Sequence, residues 1–266
     1  MPFTANEGAE LYWNSFGSGP PVLLIMGLSF THEMWFRLLP ALAPSYQVVV
    51  FDNRGMGRSS VPRGPYSIPK MARDAAAVLR AANLSSAHVI GASMGGMIAQ
   101  ELALRKPELV RSLILACTSH SGLFGRWPEL RYLPRRISRE YAVRERSIAK
   151  LLYSDSTPLH LIEEDVAIRS KCNWSSQGFF NQFAGILLWS AYGRLPRLRI
   201  PTLVVHGAND RLIPAENGRT VARRIPGARL ELVPNAGHVM ITDQPQMCAD
   251  LMLNFLSQQT ESYAMA

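Results

Sequence analysis

The sequence predicts an α/β protein in which a doubly wound, mostly parallel sheet carries one helical insertion. Short apolar runs that are rich in β-branched residues alternate with helical patterns along most of the 266 residues, and this alternation is typical of parallel α/β sheets. Some of the runs, such as Val22–Ile25 and Leu203–Val205, are apolar at every position. Strands of that kind are expected in a sheet that is covered on both faces.

The alternating parts of the chain predict the following elements in order. The strands are Leu11–Ser15, Val22–Met26, Gln47–Asp52, His88–Gly91, Ser112–Ala116, Pro201–His206 and Arg229–Val233. The helices are Met34–Leu42, Ile68–Ala82, Met94–Lys106, Ala215–Arg224 and Pro245–Ser257. Because turn-forming residues fill Gly17–Pro20, the first strand is expected to begin as an antiparallel hairpin.

The alternation stops between Ser119 and Leu195, where the pattern is helical and aromatic residues are frequent. A loop of that length without secondary structure would be unusual. We therefore predict a core of residues 1–118 and 196–266 and a helical cap of residues 119–195, placed over the sheet edge where α/β proteins bind ligands. Most cap aromatics should pack within the cap, and a few should line a pocket beneath it. The candidates are Trp127, Trp174, Phe183 and Trp189.

Composition limits the class of protein. Hydrophobic residues make up 47% of the chain and charged residues 18%, as in ordinary globular proteins. No apolar run reaches the ~20 residues of a membrane span, and the first residues lack a secretory signal pattern, so a cytoplasmic protein is expected. The formal net charge of +8 comes without a nucleic-acid motif. The densest basic stretch, Arg126–Arg146, is interleaved with glutamates and predicts a solvated helix face.

A Gly-x-Ser-x-Gly turn is the most informative motif in the chain. Gly91, Ser93 and Gly95 lie between a predicted strand and a predicted helix. A serine on such a turn has a strained backbone, and its hydroxyl points out of the sheet. Glycines are needed on both sides because a Cβ there would collide with neighbouring backbone. The turn predicts a nucleophile at Ser93.

Two later segments present the partners that a serine nucleophile needs. Asp210 follows the strand that ends at His206, and His238 follows the strand that ends at Val233. All three side chains therefore come after the carboxyl ends of strands and share one edge of the sheet. This predicts a relay in which His238 takes the proton of Ser93 and Asp210 orients the imidazole.

Through Ser93, Asp210 and His238 and the segments around them, the chain resembles a capped member of the α/β-hydrolase superfamily over nearly its whole length. The order Ser–acid–His is that of the α/β-hydrolase fold. The similar segments are the turn Gly91–Gly95, the acid turn His206–Asp210, the loop Asn235–His238 and the turn Asp52–Ser59. Within the last segment, we assign Asp52 and Arg54 to the structure of the turn.

The resemblance also implies an oxyanion hole, which acyl transfer requires. Its donors would be the backbone N–H groups of Met94 and Leu28. Many relatives carry His-Gly-x where this chain has Met26-Gly27-Leu28, so the usual hydrogen bonding of that loop is in question. The pocket would be lined near the serine by Gly27, Ser29 and Phe30 and on the opposite side by Val239 and Met240.

The leading functional hypothesis is hydrolysis of a carboxylic ester, thioester or lactone through an acyl-Ser93 intermediate, as in small esterases and enol-lactonases. Alternatives with the same triad are a C–C bond hydrolase and a cofactor-free haloperoxidase. A non-hydrolytic cyclase or a ligand-binding receptor on the same fold is a further alternative. The apolar residues of the pocket favour an uncharged acyl group, whereas the arginines near the cap favour an acidic one.

The sequence implies a small-molecule substrate and no nucleic-acid or membrane partner. Neither a metal nor an organic cofactor is implied. The three cysteines are widely spaced and form no Cys-x-x-Cys motif, so neither a disulfide framework nor a zinc framework is expected.

Overall fold

The computed structural model describes residues 2–128 and 148–264, with side chains up to Glu261. In these residues an 8-stranded sheet has the order β1-β2-β4-β3-β5-β6-β7-β8. The strands are β1 Phe3–Asn6, β2 Ala9–Phe16, β3 Pro21–Ile25, β4 Gln47–Phe51, β5 Ala87–Ala92, β6 Val110–Ala116, β7 Thr202–Gly207 and β8 Arg229–Val233. All neighbours from β4 to β8 are parallel, which confirms the predicted fold class.

The amino-terminal edge of the sheet differs from the prediction in two ways. Strand β1 was not predicted, because its residues alternate between exposed and half-buried and include few strong strand formers. Strand β2 does pair antiparallel, but its partners are β1 and β4. The segment Gly17–Pro20 therefore leads to β3, on the far side of β4, and closes no hairpin.

The described helices are α1 Leu39–Leu42, α2 Ile68–Ala81, α3 Met94–Arg105, α4 Leu159–Lys171, α5 Ser176–Leu187, α6 Glu216–Arg224, α7 Met240–Asp243 and α8 Pro245–Ala264. The predicted helix Met34–Leu42 is wrong as one element. It is divided into a 3₁₀ turn, His32–Trp35, and the single turn α1. Pro40 explains the division, because proline has no N–H to donate and can stand only in the first turn of a helix.

Two apolar layers cover the sheet, one on each face. Alternate residues of β3 supply them: Leu23 packs with α2 and α3, whereas Leu24 packs with α8 on the opposite face. Both leucines are fully buried, and burial of a leucine side chain contributes about 1.5–3 kcal/mol to stability. The continuous apolar strands are thus explained by a sheet with no solvent-facing side at its centre.

The described residues between β6 and β7 form helices and no strand beyond an isolated bridge between Ser121 and Ser190. They comprise a helical segment at 148–152 followed by α4 and α5. We interpret this region as the cap, and the division into domains stays a prediction. Most of the arginine-rich stretch lies outside the described residues. Within the described residues, we find no helix that is both long and apolar enough to cross a membrane.

Candidate active site

Ser93 occupies a strained turn between β5 and α3. Its φ is 56° and its ψ is −121°, a conformation that is rare for a residue with a side chain. The backbone on both sides of the turn is tied down: the Ser93 N–H donates to Ala116 O at 2.9 Å, and the Thr118 hydroxyl donates to Ser93 O at 2.6 Å. The end of β6 therefore holds the serine in place.

The glycines around Ser93 are required by close backbone contacts. A Cβ on Gly95 would lie 2.0 Å from Ile25 O, and one on Gly91 would lie 2.4 Å from Gly95 O. A Cβ on Gly27 would lie 2.9 Å from the Ser93 Cβ itself. These distances confirm the expectation that Cβ atoms beside the serine would collide with the neighbouring chain.

The structure brings two of the predicted catalytic residues into direct contact. His238 Nδ1 lies 2.9 Å from Asp210 Oδ2, and the Asp210 side chain is fully buried. The second carboxylate oxygen accepts hydrogen bonds from the N–H groups of Leu212 and Ile213, at 2.9 and 2.8 Å. Because an ionised carboxylate only accepts, His238 Nδ1 carries the proton and leaves Nε2 with a free lone pair.

A second histidine supports the acid. His206 Nε2 lies 2.7 Å from Ile213 O and 3.3 Å from Asp210 Oδ2. Burial acts to raise the pKa of the Asp210 carboxyl, but the nearby His238 and the hydrogen bonds from His206 and His238 hold it below its usual range. No catalytic role was predicted for His206 from the sequence. Its position four residues before the acid, at the end of the same strand, was the available signal.

The loop that carries His238 is braced by Asp243 and by the helical segment 148–152. Asp243 Oδ2 accepts the Gly237 N–H at 2.6 Å, and the Val239 N–H donates to Leu152 O at 3.0 Å. Both contacts flank His238 and leave its ring free to face the cavity. The region interpreted as the cap therefore takes part in holding the histidine.

Ser93 and His238 line the same cavity, whose volume is about 400 Å³. Within the described residues, the Ser93 hydroxyl has no hydrogen-bond partner, whereas His238 is already paired with Asp210. The hydrogen bond between a nucleophile and its general base is often long in ligand-free proteins and tightens with substrate. The structure thus assembles the Asp210–His238 pair and places Ser93 in the lining of the same cavity.

Most of the predicted pocket residues do line this cavity: Gly27, Leu28, Ser29, Phe30, Met94, Trp127, Phe183, Val239 and Met240. Trp174 and Trp189 do not, and the prediction for these two is corrected. The buried Trp189 packs into the core and donates its indole N–H to Glu101 at 2.7 Å. The exposed Trp174 donates its indole N–H to the Ser29 hydroxyl at 2.9 Å. An aromatic side chain in a helical region gives no sign of which of these positions it takes.

Methionines are the feature of the wall that the prediction underestimated. Only two of those that line the cavity were predicted to do so. The methionines in the wall are Met26, Met34, Met94, Met97 and Met240. Among the described residues of the wall, the charged side chains are Arg126 and Arg169, and none is acidic. The Arg169 guanidinium lies 4.6 Å above the Phe30 ring. The wall is therefore apolar and adaptable, with positive charge at two positions.

The loop that carries Leu28 is held by polar side chains. Asn53 donates its side-chain amide to Met26 O at 2.8 Å, and Gln182 accepts the Ser29 N–H at 3.3 Å. Leu28 and Met94 both border the cavity. Neither of their backbone N–H groups donates to another described residue. These contacts hold the loop in place although it lacks the usual histidine, and they leave the N–H groups of Leu28 and Met94 without another described acceptor.

One group of possible metal ligands occurs in the described residues. Atoms of Cys117, Asp210 and His238 lie within 4.8 Å of one another. However, burial and the nearby Asp210 raise the pKa of the Cys117 thiol well above its usual value, which opposes the thiolate that a metal would need. The facing atoms of Asp210 and His238 are also joined by their hydrogen bond. The donor set fits an acid–histidine pair better than a metal site.

Comparisons with known proteins agree with the fold. A family model described as the alpha/beta hydrolase fold matches residues 20–245. The chain is 32% identical to RutD of Azorhizobium caulinodans, which carries the name of a carbamate hydrolase, over 97% of this chain and 99% of that protein. It is 31% identical to a poly(3-hydroxyalkanoate) depolymerase of Ectopseudomonas oleovorans over 92% of this chain and 87% of the relative.

A solved structure extends the similarity to three dimensions. A thermophilic esterase from Thermogutta terrifontis superposes with a TM-score of 0.83 at 26% identity, and the alignment covers 97% of each chain. The resemblance seen in the sequence motifs is therefore confirmed. The chain belongs to the alpha/beta hydrolase fold family and is a hydrolase.

Proposed function

We propose that the protein cleaves carboxylic esters of largely apolar acyl groups through an acyl-Ser93 intermediate. The observation that carries the proposal is that Ser93 and the Asp210–His238 pair border one apolar cavity. The depolymerase and esterase relatives are named for action on a polyester and on esters. An ester bond is also the type of bond that a relay of serine, histidine and buried carboxylate cleaves.

In the first half of the reaction, Ser93 Oγ attacks the ester carbonyl carbon while His238 Nε2 takes the hydroxyl proton. The carbon–oxygen bond to the alcohol then breaks, and His238 returns the proton to the leaving oxygen. In the second half, water attacks the acyl-serine, and His238 again takes and returns one proton. Asp210 stabilises the imidazolium at each stage, and its lowered pKa keeps it ionised.

The backbone N–H groups of Leu28 and Met94 would bind the negative oxygen that forms in both halves. Met94 is the first residue of α3, so its N–H has no acceptor within the helix and lies at the positive end of the helix dipole. Loss of one such donor costs about 2.7–4 kcal/mol of transition-state stabilisation.

The cavity wall favours an uncharged, flexible acyl group over an acidic one. Its methionine, leucine and phenylalanine side chains would leave a substrate carboxylate without water. Arg169 is in contact with Phe30 and offers less to a carboxylate than a free guanidinium would. An aliphatic chain, in contrast, finds a wall that adapts its shape.

The test compares Ser93→Ala with a matched Ser170→Ala control, which changes an exposed serine on α4. We expect kcat/KM for p-nitrophenyl esters to fall on the order of 10⁴-fold or more in the first variant and to stay unchanged in the second. A fluorophosphonate should label the wild type at Ser93. A series of neutral acyl chains should be hydrolysed faster than carboxylate-bearing esters or lactones.

Two results would contradict the proposal. One is ester turnover that survives Ser93→Ala, and the other is a wild-type protein without an adduct at Ser93. The second result would favour the cyclase or receptor alternative. Cleavage of a vinylogous diketone in preference to any ester would favour a C–C bond hydrolase with the same triad.

A further inference from the structure

Gln182, a residue of α5, connects the region interpreted as the cap to the loop that carries Leu28. We infer that Gln182 is a positioning residue for the oxyanion hole, acting through the backbone of Ser29. The inference rests on the proposed function. The Gln182 side chain is fully buried, and both polar atoms of its amide form hydrogen bonds. Its Oε1 accepts the Ser29 N–H at 3.3 Å, and its Nε2 donates to Arg54 O at 2.8 Å.

The loop needs such a contact because its conformation is strained. Ser29 has a φ of +69°, a conformation that is unfavourable for a residue with a Cβ. The Phe30 N–H reaches back to Gly27 O at 3.4 Å, so Ser29 is the third residue of a tight turn. Turns with a positive φ at that position change type when their central peptide rotates. Here that peptide joins Leu28 to Ser29.

Gln182 holds the N–H of this central peptide. If the hydrogen bond were lost, the peptide could rotate, which would change the ψ of Leu28 and let Ser29 relax to a negative φ. Leu28 is the residue whose N–H is proposed to bind the oxyanion. That N–H belongs to the preceding peptide of the same turn, so its direction depends on the turn keeping the conformation that the contact from α5 maintains.

The other end of Gln182 is fixed to a rigid turn. Arg54, whose carbonyl oxygen accepts the Gln182 amide, is buried and paired with Asp74 at 2.6 Å. The same turn supplies Asn53, which binds Met26 O. The loop is thus held at both ends from one turn, directly through Asn53 and indirectly through Gln182.

Helix α5 is packed too closely on the core for Gln182 to move far. A Cβ on Gly178 would lie 2.0 Å from Gly55 O, and one on Gly185 would lie 1.8 Å from Tyr66 O. Gln182 lies between these two glycines on the same face of the helix. These close backbone contacts fix the position of α5 on the core, and therefore the position of the Gln182 amide relative to Ser29.

The test uses Gln182→Met, which keeps the length of the side chain and removes both hydrogen bonds. Asn181→Ala is the control, because Asn181 is the neighbouring residue on the same helix, packs against Gly64 and makes no hydrogen bond to the described residues of the loop. We expect kcat on a p-nitrophenyl ester to fall on the order of tenfold or more with KM changed less than twofold. The rate of Ser93 labelling by a fluorophosphonate should fall in parallel. Asn181→Ala should keep both rates.

An unchanged kcat in Gln182→Met would overturn the inference, as would an equal loss of kcat in Asn181→Ala. If far-UV circular dichroism shows that Gln182→Met does not fold, Gln182→Asn decides, because its shorter amide cannot span Ser29 and Arg54, and the same loss of kcat is expected. The two proposals fail differently. A wild type that neither hydrolyses esters nor takes the label overturns both, whereas an active wild type with a fully active Gln182 variant overturns only the role of Gln182.

Discussion

At the scale of single residues, the neighbours of Asp210 stabilise its carboxylate charge. Asp210 receives two backbone N–H groups and two histidines, so its charge is stabilised despite complete burial. Asp210→Asn would keep the shape but present an amide N–H or a weaker acceptor to His238, and the histidine would lose the tautomer that the reaction needs. We expect kcat to fall about 10³–10⁴-fold on p-nitrophenyl esters.

The control for that substitution is Asp250→Asn, which changes an exposed aspartate on α8 in the same chemical way. It should leave kcat within experimental error. Far-UV circular dichroism should show both variants folded. An Asp210→Asn variant with wild-type kcat would show that another group orients His238.

At the scale of elements, α3 is anchored to the segment that follows α5, through Trp189 and Arg194. Glu101 on α3 is buried and accepts hydrogen bonds from Trp189 at 2.7 Å, from Arg194 at 2.8 Å and from Arg105. Burial acts to raise the pKa of its carboxyl, but these donors outweigh burial and lower it. The resulting stability is present above the unfolded pKa of about 4.3 and is lost as the pH falls through the folded value.

We therefore expect Glu101→Gln to lower the free energy of unfolding at pH 7 by about 2 kcal/mol, less than for a fully buried ion pair because both arginines reach solvent. Urea titrations followed by tryptophan fluorescence measure the difference. Glu163→Gln, at an exposed position on α4, serves as the control and should change it little. Equal free energies for all three proteins would mean that the anchor contributes nothing.

At the scale of the whole molecule, a buried histidine makes stability depend on pH. His88 joins β5 to β6 and α8: its Nδ1 lies 2.8 Å from the Ser112 hydroxyl, and its Nε2 lies 3.2 Å from that of Thr260. Burial, helped by Arg111, lowers the pKa of His88 to about 4. The folded state therefore prefers the neutral ring, and stability is lost as the pH falls from about 6.5, the unfolded value, towards 4.

Between pH 7 and pH 4.5, this linkage should remove about 2–3 kcal/mol from the free energy of unfolding of the wild type. His88→Gln should lose that much less over the same interval, whereas His160→Gln, at an exposed histidine, should follow the wild type. Guanidinium titrations at the two pH values give the comparison. Parallel losses in all three proteins would exclude His88 as the cause.

The fold and the position of the candidate site could be predicted because the decisive signals are local. Apolar strands, the glycines around Ser93 and the polar residues after β7 and β8 each follow from neighbouring positions in the chain. The prediction was wrong where a distant contact or a single atom determines the local structure. Pro40 divided a helix whose apolar pattern was continuous, and Trp189 turned towards Glu101 instead of the cavity. Gln182 could not have been found, because its partners are over a hundred residues away.

The methionine wall of the cavity has a consequence for how such a protein can diverge. Thioether side chains have no fixed shape, and one methylene gained or lost in an apolar pocket changes discrimination by about 1–3 kcal/mol. Exchange of Met34 or Met97, which border the cavity, for a branched or aromatic residue would redraw the space for the acyl group and leave Ser93, Asp210 and His238 in place. Substrate preference in this lineage can therefore change by single steps, each of which still yields a working catalyst.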